Sequence, residues 1–195
     1  MLIAPVTARR SPPRCAPGFT LIEVVVVLAI MAITAVLAFP NFEVWLQNEQ
    51  IRTVAESIQS GLQLAHDEAA RQNQDVDFVL TTNAPTSGGV SPNTGGSNWV
   101  VRTDSQQTFI QGFDATPYPN VAVSCLTSAG SSCSTGSIVF QSIGLTSLTG
   151  QAIIQVSHRT NASNYRTLKI LVGTGGTIRL CDPALSLSTN PQGCS

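Results

Sequence analysis

An apolar run near the N-terminus constrains this chain more than any other feature. Residues Phe19–Phe39 form 21 positions with a single charge, Glu23. A helix rises about 1.5 Å per residue, so a run of this length covers the roughly 30 Å hydrocarbon core of a bilayer. The positive charges that precede the run are Arg9, Arg10 and Arg14. No Lys or Arg follows until Arg52, so the positive-inside rule predicts a single span with residues 1–18 in the cytoplasm.

Glu23 separates two interpretations of this run. One is an ordinary secretory signal, removed by a cut near the small residues Val36 and Ala38. In such a signal a carboxylate raises the free energy of insertion and has no role, whereas ionisable residues inside membranes are usually functional. Glu23 therefore favours the second interpretation, a helix that stays attached to the mature chain.

The segment around Glu23 carries a family resemblance. It reads Gly18-Phe19-Thr20-Leu21-Ile22-Glu23 and is followed by the apolar helix. This motif resembles the class III signal of type IV pilins and type II secretion pseudopilins. The resemblance implies that a membrane prepilin peptidase cuts between Gly18 and Phe19 and methylates the new amine of Phe19. Residues 1–18 would then be a cleaved leader, and residues 19–40 a transmembrane and filament-core helix with a kink at Pro40.

The carboxylate of Glu23 needs a partner if lipid surrounds it. A buried carboxylate is protonated or paired, and a cationic group at the same depth is the least costly partner. The free amine of Phe19 on a neighbouring subunit is such a group. We therefore expect Glu23 to set the register of subunits in a filament; the alternative is that it extends to the cytoplasmic interface.

A second pattern begins after Pro40. Apolar residues recur at spacings of three and four from Ile51 to Ala69, with charged and amide residues between them. This periodicity predicts an amphipathic helix within residues 41–75 that ends near Asn73 and buries one stripe. Because proline removes one intrahelical hydrogen bond, Pro40 should bend the helix.

Short apolar or alternating runs follow from Val76, separated by Gly, Ser, Thr, Asn and Pro. The pattern is typical of strands joined by surface loops. The predicted strands are Val76–Leu80, Trp99–Arg102, Thr108–Gly112, Val121–Leu126, Ser137–Phe140, Ala152–Ser157, Arg166–Val172 and Thr177–Leu180. One sheet or two small sheets must cover the helical stripe, because the helix has nothing else to pack against. A long polar loop is expected over residues 81–98.

The predicted fold class is α+β, with a long N-terminal transmembrane and amphipathic α-helix packed on a C-terminal antiparallel β head. The head would comprise residues 76–195. The segment from Ala65 to Asn73 resembles the stretch that the GspH/FimT branch of pseudopilins carries before its first strand. That resemblance implies a β-sandwich-like head.

The five cysteines divide by compartment. Cys15 lies in the leader, whereas the other four lie in the part expected outside the cytoplasm, where disulfides persist. Nearest-neighbour pairing predicts two disulfides, Cys125–Cys133 and Cys181–Cys194. A zinc site is the alternative, but the cysteines lack paired C-x₂₋₄-C spacing and the chain has only two histidines. We expect no metal.

Catalytic motifs are missing from the sequence. His66 and His158 are expected to be solvated surface residues. The many serines form no G-x-S-x-G elbow, and Gly173-Thr174-Gly175-Gly176 lacks the spacing and following helix of a phosphate-binding loop. We expect neither an enzyme nor a cofactor.

The resemblance thus indicates a minor pilin or pseudopilin. The resemblance implies a structural subunit of a type II secretion pseudopilus or type IV pilus, acting in assembly or initiation and in protein secretion. Its partners would be the prepilin peptidase, other pilins or pseudopilins at a filament tip, and the bacterial inner membrane. The chain would cross that membrane once, with its N-terminus cytoplasmic and its head periplasmic.

The alternative is a FimT-like minor pilin that binds DNA during uptake in natural transformation. DNA-binding members of the family carry a G-R-x-R type motif, whereas this chain has Gly176-Thr177-Ile178-Arg179. Pairing Val172 with Ile178 would place Lys169 and Arg179 on one solvent face. The chain after residue 18 has seven basic and eleven acidic residues, so we expect DNA binding to be weak or absent.

Overall fold

A computed structural model describes residues 18–160 and 163–194, with the side chains of residues 36–41 left out. Most of the predicted leader, with its arginines and Cys15, lies outside the described residues. The side chain of Pro40 does too.

Helix α1 covers Leu21–Gln72, and the chain divides into two compact units, residues 1–40 and 41–195. A membrane-spanning helix, judged by length and hydropathy, is not found among the residues that the structure describes. The predicted span includes residues 36–39, whose side chains lie outside that part. Neither the span nor the kink at Pro40 is tested, and both stay predictions.

The C-terminal end of α1 is capped by a residue in the left-handed conformation, a position that glycine usually occupies. Asn73 has a φ of 50°, and the amide of Gln74 donates to the carbonyl of Ala69 at 3.3 Å. Asparagine tolerates this left-handed conformation better than most residues, and the bond satisfies a carbonyl of the last turn. The helix therefore stops where the first strand must begin.

Eight strands follow the helix. They are β1 (Val76–Thr81), β2 (Asn98–Thr103), β3 (Phe109–Phe113), β4 (Val121–Thr127), β5 (Ser137–Phe140), β6 (Ala152–His158), β7 (Leu168–Val172) and β8 (Ile178–Cys181). One sheet has the order β3-β2-β1-β5 and the other β4-β6-β7-β8, and every pairing is antiparallel. The predicted fold class, a helix on an antiparallel β head, is confirmed.

One core joins the C-terminal part of α1 to both sheets. The predicted helical stripe is fully buried, at Ile51, Val54, Ala55, Ile58, Leu62, Ala65 and Ala69. Alternate residues of the strands meet it, such as Phe78 and Leu80 on β1 and Ile154 and Val156 on β6. Each large aliphatic side chain buried in this way contributes roughly 1.5–3 kcal/mol to folding.

The last hairpin has the register predicted from its apolar alternation. Val172 pairs with Ile178 and Ile170 with Leu180. The amide of Gly173 donates to the carbonyl of Thr177 at 2.9 Å, which closes the loop. The prediction of this register is confirmed.

The expectation for His158 was wrong. It is 8% exposed, its Nδ1 lies 2.8 Å from Thr160 Oγ1, and its ring stacks on Tyr165 with centroids 3.9 Å apart. The cause is strand alternation, because His158 shares the inward face of β6 with Ile154 and Val156. His66 is half-buried and meets the edge of Phe140, with ring centroids 5.8 Å apart.

Candidate functional site at the start of the helix

The Gly18–Phe19 peptide bond lies just outside the helix. Residues 18–20 have no regular secondary structure, and Phe19 is 84% exposed. Apart from Gly18 and its chain neighbours, no described residue has an atom within 4 Å of the position that a Cβ on Gly18 would occupy. A peptidase needs an accessible bond that is not locked in a helix, and among the described residues nothing covers this bond or holds it in a helix.

Thr20 begins the helix. Its Oγ1 accepts a hydrogen bond from the amide of Glu23 at 3.3 Å, and its carbonyl accepts from Glu23 and Val24. Thr20 and Glu23 have the spacing of a capping box, and an acidic residue in the first turn also complements the helix dipole. Thr20 was named within the sequence motif, but its role as a cap was missed, although the T-x-x-E spacing was visible. The cap would remain in a chain that starts at Phe19.

The first turns of α1 are apolar on every side. Four consecutive residues, Val24–Val27, point in all directions around a helix at 100° per residue, and each is half-exposed. Glu23 is the one charged residue among the described residues of the apolar run, and its side chain is exposed. A helix that is apolar all round needs lipid or other helices around it.

A polar cluster lies in the head, beneath the loop between β1 and β2. Arg102 donates to Asp77 Oδ2 through Nε at 3.1 Å and through Nη2 at 3.0 Å. Its Nη1 donates to the loop carbonyls of Gly88 and Val90, at 2.6 and 3.0 Å. Ser137 donates to the other carboxylate oxygen of Asp77. Both charged residues are buried.

The environment of Asp77 changes its acidity. Burial raises the pKa of the Asp77 carboxyl above its usual value, while hydrogen bonds from Ser137 and Arg102 oppose the shift. Every buried side-chain nitrogen and oxygen of the described residues has a hydrogen-bond partner. The cluster thus fastens the loop between β1 and β2 to the sheet.

Two disulfides lie in the head. Cys125 is bonded to Cys133, with Cα atoms 5.4 Å apart, and Cys181 to Cys194, with Cα atoms 5.0 Å apart. These are the pairs expected from the order of the cysteines. Within the described ranges, no group of three or more His, Cys, Asp or Glu side chains is arranged to hold a metal ion.

The basic residues considered for DNA binding lie on the outer face of the β4-β6-β7-β8 sheet. Lys169 pairs with Cys181 and Arg179 with Leu171 in the β7–β8 ladder, so the two basic residues share a face. Arg179 is half-buried, and its Nη2 donates to the carbonyls of Pro191 and Gly193 in the C-terminal loop. The hydrogen-bonding capacity of Arg179 is therefore partly used within the head.

Two further arginines of the head also have partners within it. Arg166 forms an ion pair with buried Asp182 at 2.7 Å. Arg159 donates to the carbonyl of Pro119 at 3.0 Å. Of these four basic residues of the described head, three therefore have partners within it.

Two family models match the sequence. A model described as type II transport protein GspH matches residues 54–176, and a model of the prokaryotic N-terminal methylation motif matches residues 14–39. A search of curated proteins finds no significant match.

Solved structures resemble this chain at low sequence identity. The type IV minor pilin FimU of Pseudomonas aeruginosa has a TM-score of 0.51 at 13% identity, with 75% of this chain and 96% of FimU covered. A second crystal form of FimU gives 0.50 at 13% identity, with 74% and 99% covered. The minor pseudopilin EpsH from the type 2 secretion system of Vibrio cholerae gives 0.48 at 10% identity, with 70% and 99% covered.

Proposed function

This chain belongs to the family of the type II transport protein GspH, and we propose that it is a structural subunit of a type II secretion pseudopilus or type IV pilus. The observation that carries the proposal is the first part of α1. It combines an accessible Gly18–Phe19 bond, a carboxylate in the first turn and apolar side chains on every side. The role is assembly or initiation of a filament that serves protein secretion, and catalysis has no part in it.

Processing prepares the subunit for assembly. A prepilin peptidase hydrolyses the Gly18–Phe19 bond, which leaves a carboxylate on the leader and a new amine on Phe19. Methylation of that amine follows. Thr20 supports this order of events, because its cap begins the helix after the cut and does not depend on the leader.

Assembly pairs the amine of Phe19 with Glu23 of a neighbouring subunit. A carboxylate in an apolar helix costs free energy unless a cation meets it, and the mature N-terminus supplies one at the same depth. The pair fixes the register, while the valines around it contribute packing without a preferred register. In the competing account, Glu23 extends toward the cytoplasmic interface and sets no register.

The location follows from the same parts of the chain. Before assembly the subunit is held by one span in the bacterial inner membrane, with its N-terminus in the cytoplasm and its head in the periplasm. The basic leader supports this orientation. The disulfides of the head fit an oxidising compartment.

The DNA-binding alternative has less support. Of the two proposed contacts, Arg179 is held by carbonyls of the C-terminal loop, and Lys169 alone gives few phosphate contacts. Binding that depends on one or two phosphate contacts is weak and steeply salt-dependent.

The Glu23→Val variant tests the assembly role. It makes the helix more apolar, so membrane insertion should persist while cross-linking to filament partners falls. The matched control is Val25→Ile, which changes an exposed apolar residue nearby without adding or removing charge. Normal cross-linking of Glu23→Val would show that the amine–carboxylate pair does not set the register here.

A further inference from the structure

Three exposed apolar side chains form a patch on α1 within the second compact unit. Phe42 is 58% exposed, Trp45 55% and Leu46 42%. The rings of Phe42 and Trp45 lie with centroids 5.6 Å apart. Spacings of three and four residues put all three on one face of the helix. We call these three residues the aromatic patch.

The head packs on the opposite face of the same turns. Asn48 Oδ1 accepts a hydrogen bond from the amide of Arg166 at 2.8 Å, and Gln47 Oε1 accepts one from Asn120 at 3.5 Å. Ile51, one turn further on that face, is fully buried. The aromatic patch therefore points away from the head of its own chain.

The exposed face changes character one turn after the patch. Glu49 and Arg52 are exposed there, and Arg52 pairs with Glu56 across the helix surface at 2.7 Å. A face that runs from aromatic to fully charged within about one turn matches the change from lipid headgroups to water.

The position of the patch along the chain fits this boundary. Phe42 follows Phe39, the end of the apolar run, by three residues and Trp45 by six, so the patch comes directly after the predicted span. The headgroup layer is where a membrane-spanning helix passes from hydrocarbon into water. Tryptophan is enriched there because its ring is apolar while its N–H can bond to water or headgroups.

We propose that the aromatic patch binds the headgroup region of the outer leaflet of the membrane, with the water boundary between Leu46 and Glu49. The inference rests on the membrane-held state in the proposed function. The charges within residues 41–51 are Glu43 and Glu49, so attraction to anionic lipid does not contribute. A neutral phosphatidylcholine surface is sufficient.

The two tryptophans of the chain make the test direct. Trp45 is exposed, whereas Trp99 is 2% exposed in the core. The mature chain is reconstituted in phosphatidylcholine vesicles that carry bromine either near the headgroups or deep in the acyl chains, and tryptophan emission is recorded. Bromines near the headgroups should quench up to about half of the emission, because Trp45 is one of two tryptophans. Bromines deep in the acyl chains should quench clearly less. The Trp45→Phe variant should lose this quenching.

The other outcomes separate this inference from the proposed function. A chain that floats with the vesicles but shows equal emission with and without bromine would overturn the patch proposal and leave the anchor intact. Stronger quenching by deep bromines would overturn the placement at the headgroups. A chain that does not float with the vesicles would contradict the membrane-held state itself. Quenching that rises when phosphatidylglycerol is added would contradict binding without charge.

Discussion

Gly61 on α1 lies so close to Trp99 on β2 that a Cβ on Gly61 would stand 2.9 Å from two atoms of the indole ring, and 2.9 Å from the ring of Phe78. Both rings are buried. Trp99 is held further by a hydrogen bond from Nε1 to Ser57 Oγ at 3.3 Å. The helix thus reaches the sheet at a point where only glycine fits.

The first prediction is that Gly61→Ala destabilises the head. Alanine gains about 1 kcal/mol over glycine from helix propensity, but overpacking of buried rings typically costs about 1–3 kcal/mol. We expect a net loss in the free energy of unfolding, measured by urea denaturation of residues 41–195. The control is Gly150→Ala, where a Cβ meets no described atom within 4 Å. Equal or greater stability of Gly61→Ala would mean that the rings move aside freely.

The second prediction concerns Arg102. In Arg102→Met the carboxylate of Asp77 stays buried without its cation, which typically costs about 3–5 kcal/mol at neutral pH. The loop carbonyls of Gly88 and Val90 also lose their donor. Urea denaturation measures the loss. Arg52→Met is the control, because both side chains of the pair of Arg52 with Glu56 are more than half exposed and removal of this pair should change stability little.

The third prediction is a pH dependence that comes from Asp77. Since burial raises its pKa in the folded state, the folded chain binds this proton more tightly than the unfolded chain. The protonated Asp77 carboxyl contributes fully to the free energy of unfolding below the usual pKa of 3.8. This contribution is lost as pH rises through the pKa that the carboxyl has in the folded chain. The unfolding free energy of residues 41–195 should therefore fall more steeply with rising pH than that of Asp77→Asn. Parallel profiles would show that the carboxyl is not shifted.

The sequence predicted the helix, all eight strands and the last register because these depend on local periodicity. The alternation along β6 also predicts that His158 lies on the buried face, and this indication was overlooked. The Asp77–Arg102 pair could not be derived from the sequence, because the two residues are 25 positions apart. They meet only when β1 pairs with β2 and the intervening loop folds over the sheet. The contact of Gly61 with Trp99 likewise depends on how closely helix and sheet approach. At the start of α1, by contrast, the motif is contiguous, so Gly18, Phe19 and Glu23 could be predicted as site residues from sequence alone, although the cap formed by Thr20 was missed.

The fourth prediction concerns the thiols. Residues 41–195, purified without reductant, should contain no free thiol, and peptide mapping should join Cys125 to Cys133 and Cys181 to Cys194. Loops of 8 and 13 residues correspond to roughly 3 kcal/mol of stabilisation each in the chain-entropy account. A peptide that joins Cys125 to Cys181 or Cys194 would refute this pairing.

The fifth prediction is weak or undetectable DNA binding by the same fragment at about 150 mM salt, where screening is strong. Fluorescence anisotropy with a labelled duplex provides the measurement. Lys169→Ala combined with Arg179→Ala should remove whatever binding exists. Submicromolar binding that this double variant abolishes would make DNA uptake the leading function.

The measurement that tests the account most directly is the N-terminus of the processed chain. The full chain is coexpressed with a prepilin peptidase, and the product is analysed by intact mass and N-terminal sequencing. We expect a chain that begins at Phe19, carries a methylated amine and keeps the whole of α1. A chain that begins after Ala38, without the apolar helix, would contradict the account and indicate an ordinary secreted domain.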